Sequence, residues 1–179
     1  MKTHSNQKLV FSLLVCAFLA ACASSTQLDL AALQGAEINN FRAPEAEVLS
    51  SGQPTVSQLG IASRAGVKHV ISLRTAGEEV GFDEAQVVES LGMEFHSIPV
   101  AGGGGVTADN AASLQALLAS FGGEPVLVHC ATGNRVGGLF AVNAHAEGAS
   151  VDAAIAEGAR WGMTSERLQE VVRENLSNN

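Results

Sequence analysis

Short apolar runs alternate with amphipathic stretches along most of the chain. The runs at 67–73, 93–100 and 125–129 are rich in apolar residues and have the length of buried strands. Stretches with helical spacing separate them, and consecutive parallel strands need such crossovers. We therefore expect an α/β fold with a mainly parallel central sheet flanked by helices. In such a sheet, ligands bind at the carboxyl ends of the strands.

Capping residues indicate where the helices begin and end. Thr55 and Gln58 form a predicted capping box for a helix that continues to Ala65, and Gly66 follows as its C-cap. The other predicted helices begin at Asp83, Thr107, Val136 and Ser150, and a last one carries Leu168, Val171 and Val172. Four consecutive glycines at 102–105 predict a mobile loop after the run at 93–100.

The amino terminus has the pattern of a secretory signal peptide. Lys2 and Lys8 precede an uncharged, mostly apolar run over 9–21. The end of this run, Leu-Ala-Ala followed by Cys22, resembles the bacterial lipobox, in which the cysteine is lipidated and becomes the first residue after cleavage. Two alternatives stay open: an ordinary signal peptide cut at a small residue, and an uncleaved membrane anchor of marginal length.

The lipobox resemblance implies a place in the bacterial cell envelope. Lipid chains on Cys22 would anchor the protein with its domain facing the periplasm. Ala23 is not the aspartate associated with inner-membrane retention, so the outer membrane is favoured. The chain is accordingly divided into a signal peptide (1–21), a lipidated cysteine with a tether (22–46), one domain (47–176) and a frayed tail (177–179).

Charge and composition narrow the range of partners. The net charge of −8 becomes −10 once the two lysines of the signal peptide are removed. Such a chain lacks the basic patch that sequence-independent nucleic-acid binding needs. It also lacks a polybasic segment that would add a second membrane signal. We expect no nucleic-acid partner, and membrane contact through the lipid anchor only. No His, Cys and Asp residues have metal-ligand spacing, so the sequence predicts no metal and no cofactor.

Cys130 is the candidate nucleophile. Cys16 lies in the signal peptide and Cys22 would carry lipid, so Cys130 is the one free thiol expected in the mature protein. It follows the apolar run at 125–129 and precedes a helix that begins near Arg135. A buried, inert side chain is the alternative for a lone cysteine, but these flanking residues favour a reactive one.

The loop from Cys130 to Arg135 has the parts of an anion cradle. Its backbone N–H groups belong to Ala131, Thr132, Gly133 and Asn134. These groups, the positive end of the helix dipole and the guanidinium would surround a thiolate. Attack on phosphorus would yield a phosphocysteine that water hydrolyses, and attack on a sulfane sulfur would yield a persulfide. The residues alone leave both reactions open.

This loop resembles that of the cysteine-dependent phosphatases of the dual-specificity type. Their signature is His-Cys, two residues, Gly, two residues and Arg, followed by Ser or Thr. His129, Cys130 and Gly133 match it. Arg135 comes one residue early, which gives the Cys-to-Arg spacing of rhodanese-type sulfurtransferases, whose shorter loop cradles a smaller group.

A longer resemblance covers about two thirds of the chain. From Ser51-Gly-Gln-Pro54 through Val70-Ile-Ser-Leu-Arg74 to the Cys130 loop, the sequence most resembles the bacterial phosphatase-like domains called beta-lactamase hydrolase-like. Members of that group share the short loop, and some accompany sulfide-oxidising enzymes. The resemblance implies a cysteine-phosphatase-like fold, with the active loop between the last strand and a helix, Cys130 as nucleophile and Arg135 as anion ligand.

Two features depart from the family pattern. Val136 stands where both enzyme classes usually have Ser or Thr, whose hydroxyl stabilises the departing thiolate. A phosphatase also needs a general acid, usually an aspartate before the catalytic strand, yet 99–106 contains none. Asp109 is the candidate, and its alternative role is to favour the helix dipole. Weaker candidates are Glu78, Glu79 and Asp83.

The leading hypothesis is a cysteine-dependent phosphatase that acts on a phosphomonoester, either a small anion or a phosphorylated side chain. A persulfide-forming sulfurtransferase and a non-catalytic anion-binding module are the alternatives. His129 is predicted to orient the loop by hydrogen bonding to its backbone. Arg74 either borders the site or pairs with Glu78 or Glu79.

Overall fold

The computed structural model describes residues 28–178. The predicted signal peptide (1–21), the lipobox, Cys22 and Asn179 lie outside the described residues. Within the described range, no helix combines the length and the apolar character needed to cross a membrane.

A four-stranded parallel sheet forms the centre of the domain. Its strands are β1 (Val48–Ser51), β2 (His69–Ser72), β3 (Glu94–Ser97) and β4 (Val126–His129). The strand order is β1-β4-β2-β3, and each neighbouring pair is parallel. The predicted parallel α/β sheet is therefore confirmed, and all four carboxyl ends lie at the same edge of the sheet.

Helices cover both faces of the sheet. One face holds α1 (Leu30–Gly35), α2 (Val56–Arg64) and α3 (Glu84–Ser90). The other face holds α4 (Ala108–Ser120), α5 (Asn134–Ala146), α6 (Val151–Arg160) and α7 (Glu166–Ser177). Each face has its own hydrophobic core, because alternate residues of β4 point to opposite sides: Leu127 to the first and Val128 to the second.

Local sequence determines the helix ends. The Thr55 hydroxyl accepts a hydrogen bond from the Gln58 N–H, and the Gln58 side chain accepts one from the Thr55 N–H, which confirms the predicted capping box. Three other predicted caps also accept a backbone hydrogen bond: Asp83, Thr107 and Ser150. The tetraglycine segment forms a 3₁₀ turn at Gly103–Gly105.

The segment predicted as a tether is part of the domain from residue 28 onwards. Residues 30–35 form α1, which Asp29 caps, and Leu33 is fully buried in the core beside α2. A helix of six residues is too short to show a sustained period, as is the four-residue strand β1, which the sequence also did not reveal. At the other end, Ser177 belongs to α7 rather than to a frayed tail, and its hydroxyl donates to the Arg173 carbonyl.

Candidate active site

Cys130 lies directly after β4, at the carboxyl end of a central strand. Its Sγ accepts a hydrogen bond from the Gly133 N–H at 3.1 Å, and its own N–H donates to the Ser51 carbonyl at 3.3 Å. The side chain is fully buried. The thiol thus lies where the parallel sheet predicts a ligand site.

Gly133 gives the loop its shape. Its φ is +83°, in the left-handed region that favours glycine, and it is the N-cap of α5. A Cβ at this position would lie 2.6 Å from Nδ2 of Asn40 and 3.3 Å from the carbonyl carbon of Ser51. The turn lets α5 begin beside the sulfur, so the positive end of its dipole faces Cys130.

Residues from both ends of the domain hold the loop. Nδ2 of Asn40 donates to the carbonyls of Thr132 at 2.9 Å and Gly162 at 2.8 Å. The Ser165 N–H donates to Oδ1 of Asn134 at 2.7 Å. The predicted tether therefore supplies one fixing residue, and the turn between α6 and α7 supplies the others.

A second backbone contact fixes the start of the loop. The carbonyl of Ala131 accepts a hydrogen bond from the Gln53 N–H at 3.2 Å. Gly52 forms an isolated antiparallel bridge with Thr132. The segment after β1, which the sequence identified as part of the family resemblance, thus lies against the loop.

Arg135 is oriented by four contacts around its guanidinium. Nη1 donates to the carbonyls of Leu73 at 3.3 Å and Val100 at 2.7 Å. A bidentate pair joins it to Glu78, with Nη1 2.7 Å from Oε1 and Nη2 2.6 Å from Oε2. The Nε–H and the second Nη2–H remain as donors for an anion.

The ion pair changes the pKa of both partners. The hydrogen bond from Arg135 lowers the pKa of Glu78 to about 2, although burial opposes the shift. The same hydrogen bond raises the pKa of Arg135 against the effect of burial, and Cys130 adds to the rise. At neutral pH, Glu78 is therefore a carboxylate, which positions Arg135 and has no proton to give to a leaving group.

His129 contacts Glu84 and not the loop backbone, contrary to the sequence-based expectation. Successive side chains of a strand alternate between faces, so His129 points away from the side that holds Cys130. It is fully buried, with Nε2 3.2 Å from Oε1 of Glu84, but the angle is not that of a hydrogen bond. Burial acts to raise the pKa of Glu84, but contacts with His129 and Gln53 outweigh it and lower this pKa.

Arg74 holds the loop that carries Glu78. Its Nη2 donates to the carbonyls of Glu78 at 2.9 Å and Glu79 at 2.8 Å. Its Nε lies 4.0 Å from Oε2 of Glu78. Of the two roles considered from the sequence, the structure shows pairing with this loop.

A cavity of about 900 Å³ opens in front of the Cys130 loop. Its lining comes from the loop, the segment after β2, the glycine turn and α7: Thr132, Asn134, Arg135, Thr75, Glu78, Ala101, Gly102, Gly103, Gly104, Ser165, Arg167, Leu168 and Val171. Arg167 is exposed and has no hydrogen-bond or ion-pair partner within residues 28–178. The cavity therefore has two guanidinium groups at its wall.

The predicted general acid does not line this cavity. Asp109 is exposed in the first turn of α4, where its charge favours the helix dipole. Asp83 caps α3, and Glu79 is exposed outside the cavity. In the part of the chain that the structure describes, Glu78 is the only carboxylate in the lining. The assignment of Asp109 as general acid stays a prediction.

Three residues of this site were not recognised from the sequence in their structural roles: Asn40, Glu78 and Arg167. Asn40 contacts a carbonyl 92 positions along the chain, and Glu78 pairs with an arginine 57 positions away. In the sequence, the one indication of a role for Glu78 was its place in a pair of adjacent glutamates shortly after the end of a predicted strand. Position 136 is a valine, which has no hydroxyl to offer the sulfur and is fully buried in the core.

Solved structures of other proteins have the same fold. A candidate phosphatase from Neisseria meningitidis is 26% identical, with a TM-score of 0.63 over 78% of this chain and 97% of that one. A candidate phosphatase from Shewanella putrefaciens is 22% identical, with a TM-score of 0.62 over 83% and 97%. The catalytic core of the PP-IP phosphatase Siw14 from S. cerevisiae is 18% identical, with a TM-score of 0.55 over 75% and 84%. No curated protein matches the chain.

The family comparison covers most of the domain. Residues 40–147 match the family described as the phosphatase-like domain of beta-lactamase hydrolase-like protein. This range includes all four strands, the Cys130 loop and α5, whereas α6 and α7 lie beyond it. The chain therefore belongs to the phosphatase-like domain family of beta-lactamase hydrolase-like proteins.

Proposed function

We propose that this protein is a cysteine-dependent phosphatase that hydrolyses a phosphomonoester through a phosphocysteine intermediate. The proposal rests on the groups that surround Cys130. Its sulfur accepts the Gly133 N–H at the start of α5, and Arg135 is held nearby by Glu78. A helix N-terminus and an arginine beside a thiolate suit attack on a bound oxyanion.

The proposed reaction has two steps. The Cys130 thiolate attacks phosphorus, so that an S–P bond forms while the bond from phosphorus to the leaving oxygen breaks. The leaving oxygen departs with the bonding electron pair and takes a proton from solvent water. Amide N–H groups of the loop and the free donors of Arg135 hold the equatorial oxygens. Water then attacks the phosphocysteine, inorganic phosphate leaves, and the thiolate is restored.

The cavity favours a small anionic substrate or a phosphorylated side chain. Arg167 on α7 also lines the cavity and supplies a second positive charge. The PP-IP phosphatase among the structural neighbours shows that a protein of this fold acts on a phosphorylated substrate. That comparison supports phosphate chemistry on this scaffold, and the substrate class proposed for this chain rests on its own two arginines.

Sulfur transfer is the second candidate function, and the lining of the cavity favours it. Glu78 is ionised at neutral pH because its pKa is about 2, so no lining carboxyl group of the described chain is available to protonate a leaving oxygen. Attack of Cys130 on the outer sulfur of thiosulfate forms a persulfide and releases sulfite, which needs no such proton. The short Cys-to-Arg loop suits this smaller group.

Intact mass of the protein distinguishes the functions. Wild type and Cys130→Ser are each incubated with 4-nitrophenyl phosphate and, separately, with thiosulfate. A phosphatase gives turnover of the phosphate ester and a transient phosphoryl adduct in wild type only, whereas a sulfurtransferase gains one sulfur atom from thiosulfate. If neither donor modifies Cys130 nor is turned over, the protein is an anion-binding module and both enzymatic proposals fail.

Lipid anchoring through Cys22 is a separate proposal, since this residue lies outside the described range. It rests on the lipobox resemblance alone. Wild type should fractionate with the bacterial outer membrane and incorporate labelled fatty acid. Cys22→Ala should lose the label and the outer-membrane location, and its continued presence there would contradict the proposal.

A further inference from the structure

Three potential metal ligands meet at the end of the sheet opposite to Cys130. They are Nδ1 of His69 at the start of β2, and Oε2 of Glu94 and Nε2 of His96 on β3. Nδ1 of His69 is 3.4 Å from Nε2 of His96 and 3.6 Å from Oε2 of Glu94, and the latter two atoms are 3.8 Å apart. No part of the proposed phosphatase mechanism uses these residues.

The three separations match those expected around a zinc ion. Nitrogen and oxygen ligands lie about 2.0–2.2 Å from Zn²⁺, so two ligands at a tetrahedral angle are roughly 3.4 Å apart. The centre of this triangle, in the plane of the three atoms, lies about 2.1 Å from each of them. A tetrahedral ion lies out of this plane, so the ligands must approach one another slightly to keep normal zinc bond lengths. The triangle therefore accepts a zinc ion with adjustments of a few tenths of an ångström.

The surroundings of His69 are also typical of a metal site. Its other ring nitrogen, Nε2, lies 3.0 Å from Oε2 of Glu124. A histidine that binds a metal commonly donates its remaining N–H to a carboxylate, which leaves the first nitrogen free as a ligand. The ring also stacks on Phe121, with centroids 3.8 Å apart and planes inclined by 5°. His69 is thus buried and oriented with Nδ1 towards Glu94 and His96.

Strand pairing explains why the sequence did not show this site. His69 pairs with Glu94, and Ile71 pairs with His96, in the parallel register of β2 and β3. Glu94 and His96 are two residues apart, so their side chains share a face of the sheet with His69. The ligands come from neighbouring strands and lack the close spacing of a metal-binding motif.

We propose that His69, Glu94 and His96 bind one Zn²⁺ ion, with the remaining coordination positions open to water. The Glu94 side chain is 72% exposed, so the ion can enter from solvent. β3 is an edge strand, and an ion shared between it and β2 would tie that edge to the sheet. A direct hydrogen bond from His96 to His69, with no ion, is the arrangement that competes with it.

Zinc binding is measured on purified protein without a histidine tag, in the Cys130→Ser background so that the thiol cannot act as a ligand. Titration calorimetry with Zn²⁺ at neutral pH should show one ion per chain. Co²⁺ should give the visible absorption typical of a four-coordinate site. Because binding to the native state raises stability, saturating Zn²⁺ should increase Tm by about 5 °C or more.

Matched variants test the ligand set. His96→Gln can still donate a hydrogen bond to His69 but is a poor ligand, so zinc affinity should fall at least about tenfold. His145→Gln, which alters a histidine hydrogen-bonded to the Ala149 carbonyl at the end of α5, should leave affinity unchanged. Should His96→Gln fail to fold, Glu94→Gln provides the same test at an exposed side chain. Absence of zinc binding, or equal affinity in all these proteins, would overturn the proposal.

Discussion

Glu78 and Arg135 form a bidentate ion pair at the wall of the cavity, with N–O distances of 2.7 and 2.6 Å. The pair decides which guanidinium donors face the thiol, because Nη1 is already occupied by Glu78 and by the carbonyls of Leu73 and Val100. Glu78 is thus a positioning residue for the anion-binding arginine.

Glu78→Gln should lower kcat/KM for 4-nitrophenyl phosphate by about tenfold or more, since charge-assisted hydrogen bonds contribute roughly 1.5–3 kcal/mol. The glutamine keeps the size of the side chain but cannot accept both guanidinium N–H groups as a carboxylate does. Glu79→Gln is the matched control, because Glu79 is exposed and only its backbone carbonyl contacts Arg74. Equal kinetics in wild type and Glu78→Gln would show that Arg135 keeps its orientation unaided.

The same pair predicts how stability depends on pH. The pKa of Glu78 is lowered from 4.5 to about 2 in the folded protein, so its ionised form stabilises the fold above pH 4.5, and this stabilisation is lost as pH falls towards 2. The difference in unfolding free energy between wild type and Glu78→Gln should therefore be constant near neutrality and shrink between about pH 4.5 and 2. Urea unfolding across this range measures it. Glu84, whose pKa is also lowered, is present in both proteins and cancels. A difference that does not vary with pH would contradict the assignment.

Gly133→Ala should impair both folding and activity, whereas Gly122→Ala should affect stability alone. Both glycines have positive φ, +83° and +62°, so alanine is strained by about 1 kcal/mol at either site. Only at Gly133 would the added Cβ also meet a neighbour, Nδ2 of Asn40, at 2.6 Å. We expect at least a hundredfold lower kcat/KM for Gly133→Ala, since displacement of Asn40 releases the loop. Similar activity in the two variants would show that the loop tolerates the change.

Leaving-group dependence tests whether a general acid takes part. Because Glu78 is ionised, we expect 4-nitrophenyl phosphate to react at least about a hundredfold faster than phenyl phosphate, whose phenol has a pKa of about 10. Asp109→Asn should change both rates by less than about twofold, as expected for an exposed helix-terminal carboxylate. A selective loss of phenyl phosphate hydrolysis in Asp109→Asn would instead identify this residue as the acid.

Arg167→Ala should raise KM several-fold, by about 1 kcal/mol of binding, for a substrate with a second anionic group, and change kcat little. The guanidinium borders the cavity without a partner in the described chain, so a substrate anion is its available counterion. Arg64→Ala, at the exposed end of α2 on the other face of the sheet, is the control. An unchanged KM would remove Arg167 from the proposed substrate site.

Features encoded within a few residues were predictable from the sequence. The Thr55–Gln58 capping box spans one helical turn, and the loop from Cys130 to Arg135 is continuous in the chain, so both follow from local chemistry. The parallel sheet followed from the alternation of apolar runs and helical stretches.

Contacts between distant residues were not predictable in this way. β1 has four residues and gains its identity from pairing with β4, as Val48 does with Val126. His129 contacts Glu84 because its side chain lies on the face of β4 opposite to the Cys130 side. The sequence-based expectation had His129 hydrogen-bonded to the loop backbone instead. The cluster of His69, Glu94 and His96 depends on the register of two strands, which local periodicity does not contain.

The two hydrogen bonds donated by Asn40 affect the order in which parts of the domain fold. Asn40 donates to carbonyls 92 and 122 positions further along, so the anion loop gains its last constraints only after the chain beyond α6 has docked. During synthesis, Asn40 and the nucleophile would both emerge well before Gly162 and Ser165, which complete the contacts around the loop. Once docked, the loop is held by contacts to both terminal segments, so local opening of either segment would release part of the loop without global unfolding.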